Sequence, residues 1–229
     1  MTISTGLYEA GVVSIDPETA RQIEELSHDD RPLLVLDVDD VLVEFIRPFP
    51  NYLKSKGHEL RLETFRLHGN VYDLASGEVA EREVVSALLD GFFADQEAWQ
   101  TLTHGAAEAL ASFNDTVEIV LLTAMPHRHR ETRRRLLDTL GVAYPLLTTE
   151  APKGPAILAL RGETGRPVAF VDDLPPNLFS VREHIADAHL FNLMSDNELR
   201  KLMPPLGDGI HVVEDWPDAA PRIARALGV

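Results

Sequence analysis

Apolar residues come along this chain in short unbroken runs separated by amphipathic stretches. Leu33 to Leu36 and Val117 to Leu122 read as buried strands, and Val168 to Val171, Ala188 to Leu193 and Ile210 to Val213 as further strands. A short strand is expected near Tyr144 to Leu147. Between them lie helical patterns: Gly105 to Phe113, His127 to Leu140, a helix opened by Lys153 that carries Ile157, Leu158 and Leu160, and a last one from Asp218 to Leu227. Strands alternating with helices imply an α/β core whose parallel sheet is flanked by helices through right-handed crossovers.

Two segments stand outside this alternation. Residues 1–30 read as an N-terminal extension: an apolar-polar stretch, GVVSI, precedes Asp16-Pro17-Glu18, where Asp as N-cap and Pro at the first helical position open a helix to about Leu26. Residues 47–101 interrupt the core, which occupies 31–46 and 102–229. No strong strand is visible in the interruption, and VAEREVVSALLDGFF places Val79, Val84, Leu88 and Leu89 on one helical face. A stretch of this size is too long for an ordinary connection, so it is expected to be a helical insertion placed as a lid.

The strand ends carry the candidate chemistry. The first run stops abruptly in Asp37, Asp39 and Asp40, the second in Thr123, and the third in Asp172 and Asp173. If these strands are parallel neighbours, all of these groups meet at the carboxyl edge of the sheet, where open α/β folds bind ligands. Asp37 and Asp39 are two apart and point the same way on extended backbone. Such a pair can divide labour, one carboxylate attacking beside a hard cation such as Mg²⁺ and the other holding a proton. Lys153 opens a helix, where the dipole disfavours a cation, which suggests another reason for its presence.

Composition narrows the class. A chain of 229 residues with 45% hydrophobic and 25% charged residues can bury one core and carry a small accessory unit. The absence of cysteine excludes disulfides, thiolate metal sites and a cysteine nucleophile, leaving an oxygen-rich set of candidate ligands. A formal net charge of −16 argues against nucleic acid or an anionic membrane as partner and favours a small substrate. No apolar run reaches membrane-span length, and MTISTGLYEAG lacks the basic end and apolar core of a secretory signal, so a cytoplasmic protein is expected.

Four motifs in order carry a family resemblance: LLVLDVDD, VEIVLLT, Lys153 in APKGPAI, and AFVDDLPPN. The chain resembles the haloacid dehalogenase (HAD) superfamily, of the phosphohydrolase type. The likeness covers about residues 31 to 180. It implies a Rossmann-like core with a helical C1 cap at 47–101, and Mg²⁺-dependent hydrolysis of a small phosphomonoester through an aspartyl-phosphate. Asp37 would be the nucleophile and Asp39 the general acid and base, with Thr123 and Lys153 holding the phosphoryl oxygens. Mg²⁺ would be held by Asp37, the backbone carbonyl of Asp39 and the acidic pair, Asp173 directly and Asp172 behind it, with Asn177 in support. The second Asp of the first motif favours phosphoryl transfer over dehalogenation. Asp40 departs from the commonest form of that motif, which has glycine there. A phosphotransferase using the same site and a noncatalytic metal- or phosphate-binding protein are the competing readings.

Within the insertion and its entry, Phe45, Arg47, Tyr52, His68, Asn70 and Tyr72 are candidates to face a substrate. The run HRHRETRRR, His127 to Arg135, reads first as the solvated face of a helix whose Leu136, Leu137 and Leu140 point inward, and second as a basic patch that attracts an anionic substrate or a second phosphate. His184, His189 and His211 lack metal-like spacing and read as structural or surface residues.

Overall fold

The computed structural model describes residues 14–27, 29–113, 115–194 and 196–229. Helix α1 (Pro17–Glu24) precedes strand β1 (Leu33–Leu36). The segment after β1 carries α2 (Phe49–Ser55), β2 (His58–Leu60), β3 (Val71–Asp73), α3 (Arg82–Ala94) and α4 (Gln96–Trp99). The chain then alternates through α5 (Ala106–Phe113), β4 (Glu118–Thr123), a 3-10 turn at His127–His129, α6 (Arg130–Thr139), β5 (Leu146–Thr148) and α7 (Lys153–Arg161). It closes with β6 (Val168–Asp172), α8 (Pro175–His184), β7 (His189–Leu193), α9 (Asn197–Leu202), β8 (Ile210–Val213) and α10 (Trp216–Leu227).

Six strands form one parallel sheet in the order β5-β4-β1-β6-β7-β8. The order reverses at β1, which lies between β4 and β6, so the crevice beyond its carboxyl end is a topological switch point. Leu34 and Leu36 of β1 face a cluster with Phe113, Trp216 and Ile223, whereas Leu33 and Val35 face Ile157, Leu178 and Val181. Burial on both sides is why β1 is an unbroken apolar run.

Asp16 caps α1 by accepting from the Glu18 and Thr19 amides, as its position before proline predicts. The helix lies against edge strand β5. Thr19 Oγ1 donates to the Thr148 carbonyl at 2.8 Å, and Gln22 Oε1 accepts from the Thr148 amide at 2.8 Å. These side chains satisfy edge groups that a neighbouring strand would otherwise take. Most of GVVSI lies outside the described residues.

The insertion differs from its sequence reading in two respects. It is not wholly helical, because β2 and β3 pair antiparallel. Strands of three residues are too short to leave a legible alternation. The inward face of α3 is Val85, Leu88, Leu89 and Phe92, while Val79 and Val84 are 48% and 38% exposed. The helix starts only at Arg82, and the i, i+3, i+4, i+7 spacing then begins from Val85. Its buried side chains join Phe45, Phe49, Tyr52 and Val71, and also Met194 and Leu199 from beyond β7.

Candidate active site

The register of β1 with its neighbours sets the site. Leu36 lies level with Leu121 of β4 and Val171 of β6, so Asp37, Thr123 and Asp172 emerge together at the carboxyl edge. Asp37, Asp172 and Asp173 are buried, and a carboxylate oxygen from each lies within 4.8 Å of the others. Lys153 joins them from the start of α7, with Nζ 2.5 Å from Asp37 Oδ1 and 2.7 Å from Asp172 Oδ2. Next to the lysine, α7 packs closely on α8, and the Gly154 amide donates to Ser180 Oγ at 3.0 Å. A Cβ at Gly154 would collide with the Ser180 carbonyl, so only glycine fits beside the lysine.

Asp172 and Asp173 are adjacent but differently engaged. Asp172 accepts from Lys153, from the Leu174 amide at 2.8 Å and from Asn177 Nδ2 at 3.0 Å to both oxygens. The Asp173 side chain has no hydrogen-bond or ion-pair partner among the described residues and faces the cavity, while its carbonyl accepts from Asn192 at 2.9 Å.

Three buried carboxylates against one ammonium leave a surplus of two negative charges. Burial pushes the Asp37 carboxyl up to about 7; Lys153 opposes this, and Asp172 and Asp39 add to it. Burial, then Asp172 and Asp37, pushes Asp173 well above its ordinary value. Burial would lower Lys153, but Asp172 and Asp37 outweigh it and hold the ammonium above its usual range. The cluster is an all-oxygen donor set whose charge surplus matches a divalent cation, so the residues fit such an ion.

Asp39 turns to a different partner. It accepts from Gln100 Nε2 at 2.8 Å and from Arg133 Nη2 at 2.9 and 3.2 Å. Arg133 is fully buried; its Nε donates to Gln96 and its Nη2 to Gln100 at 3.2 Å, while Nη1 has no partner among the described residues. This corrects the reading of HRHRETRRR as a solvated face. Arg128 and His129 both meet Asp90 of α3 at 2.5 Å, so the run clasps the insertion. Arg133 precedes Leu136, Leu137 and Leu140 by three, four and seven residues, the spacing of the buried face, which could have identified it.

Asp40 adopts a left-handed backbone with φ 58, which explains an Asp where glycine is common. Its carboxylate accepts from the Phe45 and Ile46 amides at 2.8 and 3.0 Å and so closes the turn into the insertion. Burial pushes its carboxyl up to about 7 against those two hydrogen bonds.

A cavity of about 780 Å³ extends from Asp37, Asp39, Thr123, Asp173 and Asn177 beneath the insertion. Phe45 and His68 line it. The other substrate-facing candidates do not: Tyr52 and Asn70 are buried in packing, Arg47 pairs with Glu44 at 2.5 Å, and Tyr72 stacks beneath Arg61. His184 Nδ1 donates to the Ser180 carbonyl, and His211 packs on Phe191.

An acidic centre with a buried lysine sits at the switch point of a parallel sheet, where open α/β folds place their ligands. The chain has the haloacid dehalogenase-like fold. A haloacid dehalogenase-like hydrolase from Streptococcus pneumoniae superposes with TM-score 0.57 at 13% identity, covering 85% of this chain and 99% of that one. A HAD family hydrolase from Deinococcus radiodurans, with bound phosphate and sodium, gives 0.54 at 17% identity over 86% and 96%. CbbY from Rhodobacter sphaeroides, in complex with phosphate, gives 0.55 at 13% identity over 81% and 95%. No protein-family model and no curated protein matched the sequence. No helix among the described residues is long and apolar enough to cross a membrane.

Proposed function

We propose that this protein is a HAD-type phosphohydrolase that cleaves a small phosphomonoester with the help of Mg²⁺. The observation that carries the reading is the buried arrangement of Asp37, Asp172 and Asp173 around Lys153, with Asp173 left unpaired. Mg²⁺ would be held by Asp37, Asp173 and the Asp39 carbonyl, and would neutralise charge as the phosphoryl group approaches. Asp172, fully occupied by hydrogen bonds, orients Lys153 and Asn177 instead.

Asp37 attacks phosphorus, the ester P–O bond breaks, and Asp39 protonates the departing alkoxide. Thr123 and Lys153 hold the equatorial oxygens. Asp39, now a carboxylate again, takes a proton from water, which attacks the aspartyl-phosphate and releases inorganic phosphate. Residues 47–101 act as the cap that shields this exchange from solvent. The phosphate dianion accounts for the lysine: without it, the approach to several carboxylates is repulsive.

Phosphate release from p-nitrophenyl phosphate, with Mg²⁺ and then with EDTA, tests the proposal. Release should require the metal and vanish in Asp37→Asn while the far-ultraviolet circular dichroism is unchanged. Full activity in that variant would remove Asp37 as nucleophile.

A further inference from the structure

Beyond its acidic end, the cavity wall is carbon. Phe45, Ile46, Phe65, Leu89, Phe93 and Met194 line it, and the remaining polar side chains there are Arg66, His68 and Arg82, all from the insertion. A polyol leaving group would surrender most of its hydrogen bonds to water against these largely apolar walls, whereas an apolar one gains by leaving water.

This chain carries a formal charge of −16, and Arg21, Arg31, Arg47, Arg61, Arg128 and Arg133 are all paired with acidic side chains. Arg66 and Arg82 face the cavity without a side-chain partner among the described residues. Burial, then the charge of Arg82, holds His68 below its ordinary value, consistent with positive potential at this end. Arg82 begins α3 and Phe93 lies near its end, so about 16 Å of helix axis separates them. Phe93 marks the acidic end, its ring 5.9 Å from the Arg133 guanidinium that holds Asp39.

Building on the phosphohydrolase reading, we infer that the substrate is a phosphomonoester of an elongated apolar alcohol that carries a second anionic group, carboxylate or phosphate, at its far end. The ester phosphate meets Asp37, the apolar body fills the carbon-lined cavity, and the distal anion meets Arg66 and Arg82.

Three esters of primary alcohols test this with leaving-group reactivity held nearly constant: a hexose phosphate, octyl phosphate and ω-carboxyoctyl phosphate, each below its micelle concentration. Octyl phosphate should exceed the hexose ester in kcat/KM by at least about tenfold. The carboxylate should add a further several-fold, and the ratio of the carboxyoctyl to the octyl ester should fall to about one in the Arg66→Ala, Arg82→Ala double variant. A hexose ester that matches octyl phosphate overturns the apolar body, and a ratio unchanged in the double variant overturns the distal anion. Calorimetry with octylphosphonate and methylphosphonate separates this inference from the reaction itself. If folded protein with Mg²⁺ hydrolyses no ester, yet binds octylphosphonate at least about tenfold tighter than methylphosphonate, the phosphohydrolase reading falls and the cavity assignment stands. Equal binding of the two phosphonates overturns the assignment.

Discussion

Replacing Arg133 by methionine separates two roles that a buried arginine can have. The guanidinium makes charge-assisted hydrogen bonds to Asp39 and further bonds to Gln96 and Gln100. Losing charged hydrogen bonds costs about 1.5–3 kcal/mol. Against this stands the buried Nη1, which has no partner among the described residues and whose removal returns about 1–3 kcal/mol. Methionine keeps most of the packing beside Phe93. Asp39, 20% exposed on the cavity wall, is solvated by water and keeps its bond to Gln100. Gln96 Oε1, also buried, is left without its arginine donor, so the net loss is about 2 kcal/mol, a fall in Tm of roughly 4–8 °C for a chain of this size. Catalysis should suffer more, because Asp39 loses the fork that fixes its direction. For an alkyl phosphate, whose leaving oxygen needs a proton, kcat/KM should fall on the order of 10–100-fold. For p-nitrophenyl phosphate, whose leaving group departs unprotonated, it should fall much less, and Arg133→Lys should recover part of the difference. Thermal unfolding and the two kcat/KM values are the assay. An equal loss on both substrates, or a fall in Tm beyond about 10 °C, would refute a positioning role and leave a structural clamp.

Lys153→Met should behave in the opposite way: it strands Asp37, Asp172 and Asp173 without a cation and should cost about 3–5 kcal/mol in EDTA, with Mg²⁺ restoring much of the loss in a denaturant titration. Asp37 and Asp40 are both pushed up to about 7, from 3.8, so between these values the folded chain holds protons that the unfolded chain has released. Stability in EDTA should thus be greatest below the unfolded value, fall as pH rises towards 7 by up to about 1.4 kcal/mol per pH unit per group, and level off above it. Urea midpoints from pH 5 to pH 8 check this, and a flat or rising profile in EDTA would contradict it. Gln22→Ala leaves the Thr148 amide of edge strand β5 without its acceptor and should lower stability by about 1–3 kcal/mol without affecting phosphate release.

The core was legible because its signals are local. A buried parallel strand is an apolar run, and a carboxylate that follows such a run marks the sheet edge, so Asp37, Thr123 and Asp172 could be placed together before any contact was known. The insertion was less legible. Its two strands have three residues each, and the inward face of α3 depended on where the helix began, which no cap residue announces: Glu81 makes no capping hydrogen bond. Arg133 was obscured for a different reason. Its neighbours Arg130, Arg134 and Arg135 give the segment the composition of a solvated surface, while the period of Leu136, Leu137 and Leu140 puts Arg133 inside. Period should have outweighed composition, since burial follows the face on which a side chain lies.

Compared as a set, the acidic groups of the site show where an incoming cation belongs. Asp172 is held by Lys153, Asn177 and a backbone amide; Asp39 by Arg133 and Gln100; Asp40 by the amides of Phe45 and Ile46. Asp37 shares Lys153 with Asp172. Asp173 alone in this set has no partner for its carboxylate among the described residues, although it is buried, and a buried carboxylate without one either keeps a proton or waits for a charge. Among the described residues, Asp173 is thus the one carboxylate of this set that the fold leaves uncommitted. That position lies beside Asp37 on the wall of the cavity. A metal bound there can add positive charge to the centre while Lys153 keeps its ion pairs with Asp37 and Asp172.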